Sequence, residues 1–296
     1  MKAIINYLEN NLIFNQKIIL ARCFLAFGAL LILLFNDSYE ISNIDIGLLA
    51  DRIENKFSID FSIFSFFSPP IAKAICIFIL LFVFTGYLPQ LSCFLQAWVH
   101  LSICNSFVIV EGGDQVASNL SLLLIPVCLF DTRINQWNKE RINLSLYLKN
   151  RNVFFGVYYF LIRLQVAVIY LHAGVGKLYK EDWRDGTGLY YWLNNNIFGA
   201  PDFILKYLNI LTLSSFSPVI SWSIIFLELG LFACILATNR RILMLFFFLG
   251  VLFHFCIFIL HGLMSFMFPM IGALILYLDK NNDVYNYLKT LYYERR

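Results

Sequence analysis

The chain has 296 residues, of which 60% are hydrophobic, 18% aromatic and 14% charged, with a mean hydropathy of +0.72 and a formal net charge of +3. Soluble globular chains run at about 45–50% apolar and about 25% charged, so this composition excludes a disordered chain, a nucleic-acid binder and an ordinary cytosolic enzyme. Apolar runs recur along the whole length and leave no soluble block longer than a loop, and the small net charge points to no polyanionic partner.

A helix needs about 20 mostly apolar residues to cross the hydrocarbon core of a bilayer. Eight candidate runs are present, at 17–35, 70–87, 90–110, 115–131, 152–176, 217–238, 242–261 and 263–279. The N-terminus carries Lys2, Lys17 and Arg22 before the apolar stretch of the first run, which exits into Phe35-Asn36-Asp37 without a small-residue cleavage site and reads as a retained signal anchor. Segment 36–69 begins acidic (Asp37, Glu40, Asp45, Asp51, Glu54). It then alternates Phe57, Ile59, Phe61 and Ile63 with Ser58, Asp60 and Ser62, a period of two that suggests an extended strand or a strip on the bilayer surface. Pro69-Pro70 opens the second run, where a missing N–H is harmless, and Pro89 separates it from the third. Ser118 and Asn119 weaken the fourth run.

Segment 178–216 is crowded with Trp183, Tyr190, Tyr191, Trp192 and Phe198, as expected at headgroup level. Within it, Asp185-Gly186-Thr187 reads as a turn followed by a helix cap, and Pro201 suits the first turn of another short helix. Ser217-Pro218 starts the sixth run, and Asn239-Arg240-Arg241 forms a tight turn before the seventh. Cys23, Cys76, Cys93, Cys104, Cys128, Cys234 and Cys256 all fall in or beside apolar runs with no C-x-x-C spacing, so they read as buried small hydrophobes rather than disulfides or metal ligands.

With the N-terminus inside, the inside segments carry thirteen Lys and Arg residues against five outside. Positive charge accumulates on the cytoplasmic side, so the expected fold is all-α: a polytopic transmembrane helical bundle of about eight spans with both termini cytoplasmic. A single membrane domain then covers residues 10–283 and a short cytoplasmic tail covers 284–296.

A charge deep in a bilayer costs at least ~2.5–3.5 kcal/mol on insertion scales, so such residues need partners or a task. The densest cluster is Arg163, Tyr170, His172 and Lys177 on the fifth run, followed by Glu181, Asp182, Trp183, Arg184 and Asp185. At 100° per residue, Arg163, Ala167, Tyr170, Gly174 and Lys177 share one helix face. Ala173, Gly174 and Gly176 thin the helix before Lys177, so that another backbone or a ligand can come close. Two readings of Lys177 stand together: a lysine held in a low-dielectric site and able to act as a base, or one that snorkels outward and pairs with Asp182.

His100, Cys104, Phe107 and Glu111 share a face that leads into Gly112-Gly113-Asp114. This reads either as a set of polar groups at the mouth of a cavity or as an interhelical hydrogen bond and an ordinary turn. His254 and His261 lie seven apart on one face, without a third nearby ligand for a metal. Glu228 sits mid-run and must be either neutral or paired, with Arg163 or a histidine as the candidate partner. There is no phosphate-cradling Gly loop, no H-E-x-x-H and no G-x-S-x-G.

The stretch from Tyr170 to Trp192, with Ala173-Gly174-Val175-Gly176-Lys177-Leu178 at its centre, resembles the signature of the horizontally transferred transmembrane (HTTM) domain, the membrane region of vitamin K-dependent gamma-carboxylases and their bacterial relatives. Within that superfamily the chain looks most like the sporulation-delaying protein B (SdpB) group. The basic start of the first run, the Gly112-Gly113-Asp114 turn and the layout of the runs also fit, over roughly residues 10–280.

The carboxylases keep a catalytic lysine in an Ala-Gly-Val-Lys-Lys-Leu stretch, so the resemblance puts Lys177 at the position of the base, with Gly176 replacing the first lysine. Those enzymes carry a large extracytoplasmic domain after the membrane region, whereas Arg296 lies just past the last run here, and glutamate carboxylation is not expected. The SdpB resemblance implies a bacterial cytoplasmic-membrane protein needed to produce a secreted, bacteriocin-like peptide toxin, working with a small SdpA-like partner on a precursor peptide. The alternatives are a quinone-linked membrane enzyme, in which His100 or His172 assists Lys177, and a toxin-immunity or peptide-transport protein.

The candidate catalytic residues are thus Lys177, His172 and Arg163. The candidate substrate and loop residues are Asp182, Trp183, Asp185, Gly186, Asp114, Glu111 and His100. The cofactor is left open, with a quinone as one candidate, and no metal set stands out.

Overall fold

The computed structural model describes residues 16–39, 61–138, 147–196 and 199–294. In chain order the helices are α1 (Gln16–Phe35), α2 (Ile63–Phe66), α3 (Pro69–Thr85), α4 (Pro89–Ser106), α5 (Gly112–Leu129), α6 (Tyr147–Tyr179) and α7 (Glu181–Arg184). Then come α8 (Gly188–Leu193), α9 (Asp202–Thr212), α10 (Ser217–Ala233), α11 (Arg240–His261), α12 (Met264–Leu278) and α13 (Asp283–Glu294). A helix occupies each of the eight apolar runs, and the described residues hold no strand, only one isolated bridge between Tyr87 and Asn135.

By length and composition, four of these segments suffice to cross a membrane: Gln16–Phe35, Gly112–Leu129, Gly156–Tyr179 and Arg240–His261. A fifth arises if α9 and α10, bent by 99° at their junction, count as one broken span, while Pro69–Thr85 and Met264–Leu278 are shorter apolar helices.

Helix boundaries follow local chemistry. Pro69, Pro70 and Pro89 stand in first turns, and α3 and α11 stop at Gly86 and Gly262, both at φ 71°, the left-handed conformation that a helix stop favours. The Asn239 side chain accepts the Arg241 N–H at 2.8 Å, so the expected Asn-Arg-Arg turn is the cap and first turn of α11. Phe57, Ile59 and the rest of the alternating strip up to residue 60 lie outside the described residues. At its end the expected strand gives way to the single turn α2. Serine hydroxyls cause this: Ser62 Oγ accepts the Phe64 N–H at 3.2 Å and meets Ser106 Oγ at 2.5 Å, and Ser102 Oγ accepts the Ile63 N–H at 3.0 Å.

Helices α1 and α12 form the centre. A Cβ on Gly28 would lie 2.6 Å from the Pro269 ring, and one on Gly272 would lie 3.0 Å from the Ala21 carbonyl, so two glycines set how closely these helices cross. On one side, α3 and α4 bury Ile79, Leu80, Val83, Val99 and Ile103 against α1. On the other, α5, α6, α10 and α11 pack around α12 through a core that includes Leu120, Val166, Leu231, Phe247 and Leu274.

The end of the bundle that holds the start of α1 is tied by buried polar groups. Lys17 donates to the Asp279 carbonyl at 3.2 Å and lies 4.2 Å from the Tyr159 ring. Arg22 donates to Gln96 at 2.9 Å, Gln136 at 2.7 Å and Ser92 at 2.9 Å, and Asp131 pairs with Arg133 at 2.6 Å. These bonds satisfy cations that the apolar surroundings would otherwise expel. The seven cysteines are free thiols; five are buried, Cys104 is half-buried and Cys256 is exposed.

Candidate functional site: a lysine–glutamate pair in an apolar cavity

At the other end of the bundle, α5, α6, α10, α11 and α12 enclose a cavity of about 740 Å³, a size usual for small-ligand sites. Its wall is mostly apolar, with Val116, Ile169, Ile224, Phe253, Ile257 and Phe266 among the side chains. The few polar groups in it are therefore the informative ones.

Lys177 reaches the cavity from the last turn of α6, and its Nζ lies 2.7 Å and 2.8 Å from the two carboxylate oxygens of Glu228 on α10. The two side chains are 19% and 5% exposed. The lysine therefore neither snorkels to Asp182 nor leaves Glu228 to Arg163. Backbone approach makes the pair feasible: a Cβ on Gly174 would sit 2.9 Å from the Leu229 side chain, so the glycine lets α6 and α10 close on each other. Gly176 has nothing within 4 Å, so its lack of a side chain is not used for packing.

The loop after α6 is fixed over this pair. Gly186 holds φ 84°, and a Cβ there would meet Pro218 Cα at 2.3 Å. Its carbonyl accepts hydrogen bonds from Ser217 Oγ at 2.6 Å and Ser221 Oγ at 3.0 Å, while Trp222 Nε1 donates to the Arg184 carbonyl at 3.1 Å. Docked in this way, α7 buries Trp183, and the Lys177 ammonium lies 5.2 Å from its ring centroid, a cation–π distance. Thr187 stands at the N-cap of α8 as expected, but its hydroxyl donates to the Asp182 carbonyl at 3.3 Å instead of capping the helix.

A second polar pair lines the cavity beside the first. The Tyr170 hydroxyl lies 2.9 Å from His254 Nε2, and both residues are buried. His254 Nδ1 has no hydrogen-bond partner among the described residues. His261, seven residues on, packs edge-on against Trp192 at 5.7 Å. The two histidines thus serve different neighbours.

Other sequence candidates divide cleanly. Glu111 lines the cavity, accepts from Ser265 Oγ at 2.8 Å and forms a capping box with Asp114, whose carboxylate accepts the Glu111 N–H at 3.1 Å. Gly112-Gly113-Asp114 is accordingly the first turn of α5, and Gly113 admits Phe266, whose Cα would lie 2.8 Å from a Cβ there. His172 lies on the cavity wall but is exposed.

Arg163 is away from the site. It shares the helix face with Lys177 but stands fourteen residues earlier, about 21 Å along the axis. It donates to the Tyr277 carbonyl at 2.8 Å. His100 is buried in α4 and is not part of the cavity wall. Asp182 and Asp185 are exposed, and neither side chain belongs to the wall. Sequence reasoning missed the pairing of Tyr170 with His254. Its available signal was a tyrosine on the same helix face as Lys177 and a histidine isolated in a long apolar run.

Chemically, the Lys177 Nζ donates to both Glu228 carboxylate oxygens, so each group satisfies the other within the apolar wall. The pair is neutral as a unit, and His254 and Tyr170 beside it can give or take a hydrogen bond.

No family model matches the chain, and no solved structure matches it. Among curated proteins it is similar to the uncharacterized protein YitO of Bacillus subtilis (strain 168), 28% identical over 293 residues that cover 94% of this chain and 90% of that one. It is also similar to the sporulation-delaying protein SdpB of the same organism, 34% identical over 284 residues, or 92% of this chain and 84% of the relative. A match at that identity over most of both proteins means that the chain belongs to the SdpB family.

Proposed function

We propose that the protein is a cell-membrane component of peptide-toxin production, and that it acts on a secreted precursor at the cavity holding Lys177 and Glu228. Membership of the SdpB family supports the biological role. The observation that carries the site is a charged pair that apolar walls, Trp183 and a docked loop keep together. Such a pair is expensive to keep in a membrane protein without a task.

In this reading one HTTM-like domain covers 10–283 and crosses the bilayer eight times, and both termini and the 284–296 tail are cytoplasmic. The cavity opens toward the outer side, where an exported peptide would meet it, and a small SdpA-like partner supplies chemistry that the cavity lacks. Lys177, at the position of the carboxylase base, is the group that exchanges a proton with the substrate, and Glu228 holds that proton in reserve.

The test is Lys177→Met in producing cells. Toxin activity disappears while the protein remains in the membrane; toxin matured at the normal level would reduce the lysine to a structural role. A second reading, a quinone-linked enzyme, is favoured by the apolar wall, which suits a lipid-soluble ring beside Tyr170 and His254. A quinone copurifying with the wild type and lost on filling the cavity by Ile257→Trp supports it.

A further inference from the structure

The cavity wall contains side chains that are also exposed on the outside of the bundle. Gln115 and Asn119 on α5, and Val168 and His172 on α6, are all exposed, and all four line the cavity. The cavity therefore breaks through the side of the bundle between these two helices. Both are among the segments long and apolar enough to cross a membrane.

Depth along the helices tells where this opening lies. Asn119 is seven residues from the start of α5 and His172 is seven from the end of α6, about 10 Å from the helix ends in each case. Hydrocarbon extends for about 30 Å, so the opening falls below the headgroups. With α5 and α6 read as spans, Asn119 and His172 lie at similar depth and Gln115 one turn nearer the helix end, and none of these three side chains makes a hydrogen bond among the described residues. Gln115 and Asn119, one turn apart, present two amides along a single stripe of α5.

Lipid tails offer no hydrogen bonds, and polar groups in transmembrane helices are normally satisfied across a helix–helix contact. We propose that the seam between α5 and α6 is a lateral docking site for a membrane-embedded peptide helix that carries amide or hydroxyl side chains, and that the precursor enters the Lys177–Glu228 cavity through it. The seam supplies hydrogen bonds from Gln115, Asn119 and His172, and Val168 packs against the incoming helix. This rests on the cavity being the working site, and it names the route and the kind of segment that reaches it.

The test uses the purified full chain in liposomes with two synthetic leucine-rich helices of about 20 residues, each carrying a photoreactive leucine. One is wholly apolar; the other has an asparagine at its centre. Adducts of the asparagine peptide are expected on α5 and α6 around Val168, at about five times the yield of the apolar peptide, the scale of one interhelical hydrogen bond. The variant Gln115→Leu/Asn119→Leu brings the two peptides to parity, and His172→Phe gives about half that loss.

Both substitutions put apolar groups on an exposed surface. A monodisperse gel-filtration profile and unchanged adducts at Phe248, on the outer face of α11, verify folding. Equal labelling by both peptides in the wild type, adducts no denser at Val168 than at Phe248, or a yield unmoved by the double variant would each overturn the proposal. So would a photoreactive phosphatidylcholine labelling the seam undiminished in the presence of the asparagine peptide, since the seam would then belong to lipid. Lys177 is intact throughout and no toxin is measured, so a negative result leaves the maturation role standing, and an inactive Lys177→Met leaves the seam standing.

Discussion

Lys177 and Glu228 stabilise each other more than either stabilises the fold alone. Removing one leaves a nearly buried partner without its counter-charge, which is the expensive way to break an ion pair. Lys177→Met is expected to lower stability by about 2–3 kcal/mol, limited because the remaining carboxylate can take up a proton. Lys177→Met/Glu228→Leu should recover most of that loss. Thermal unfolding of the two single variants and the double variant in one detergent measures the coupling; additive losses would mean the two groups do not depend on each other.

Much at this scale was legible in the sequence. The 100° arithmetic put Tyr170, Gly174 and Lys177 on one face, and all three bear on the cavity or its walls. The same arithmetic put Arg163 there, because a helix face says nothing about height. Glu228 is recognisable as a charge that must be neutral or paired, but helix periodicity does not reveal which helices are neighbours, and the candidates it leaves, Arg163 or a histidine, do not include the actual partner Lys177.

Among the elements, the segment from α7 to α10 does the most to shape the site. Gly186 is its tightest point, with a positive φ and Pro218 where a side chain would go. Gly186→Ala should cost about 2 kcal/mol through strain and displacement of the loop, and it should loosen Trp183 over the lysine. Gly176→Ala should not destabilise and should raise stability by up to about 0.5–1 kcal/mol, since open space surrounds that helical position. Comparing the unfolding midpoints and tryptophan emission of the two variants checks both expectations; equal effects would mean that proximity to Lys177, and not the turn, is what matters.

The Asp185-Gly186-Thr187 turn and the helix after Pro201 were readable from turn chemistry. The 99° bend between α9 and α10 was not, because the orientation of a short helix depends on what it packs against. One such tie is the reciprocal amide pair of Asn194 and Asn209, at 3.0 Å and 3.2 Å. The alternating strip failed as a strand where it is described, since Ser62, Ser102 and Ser106 engage the backbone and hydroxyl groups that a strand would need free.

For the whole molecule, composition was sufficient to give a helical, membrane-type bundle, and hydropathy located eight of the described helices; α2, α7, α8, α9 and α13 fall outside the apolar runs. Span count and orientation go further than length and composition. If both ends are cytoplasmic, a green fluorescent protein fused after Arg296 should fluoresce. A periplasmic-type phosphatase inserted at Lys206 should be active; the reverse pattern would invert the topology.

The core of the functional proposal is that a neutral pair of charges in an apolar cavity processes a peptide. It is tested most directly by mass spectrometry of the secreted peptide from cells carrying the wild type or Lys177→Met/Glu228→Leu, with the protein's membrane abundance measured alongside. The mature peptide should disappear in the double variant while abundance holds. The same mature mass, released in the same amount by both strains, would contradict it.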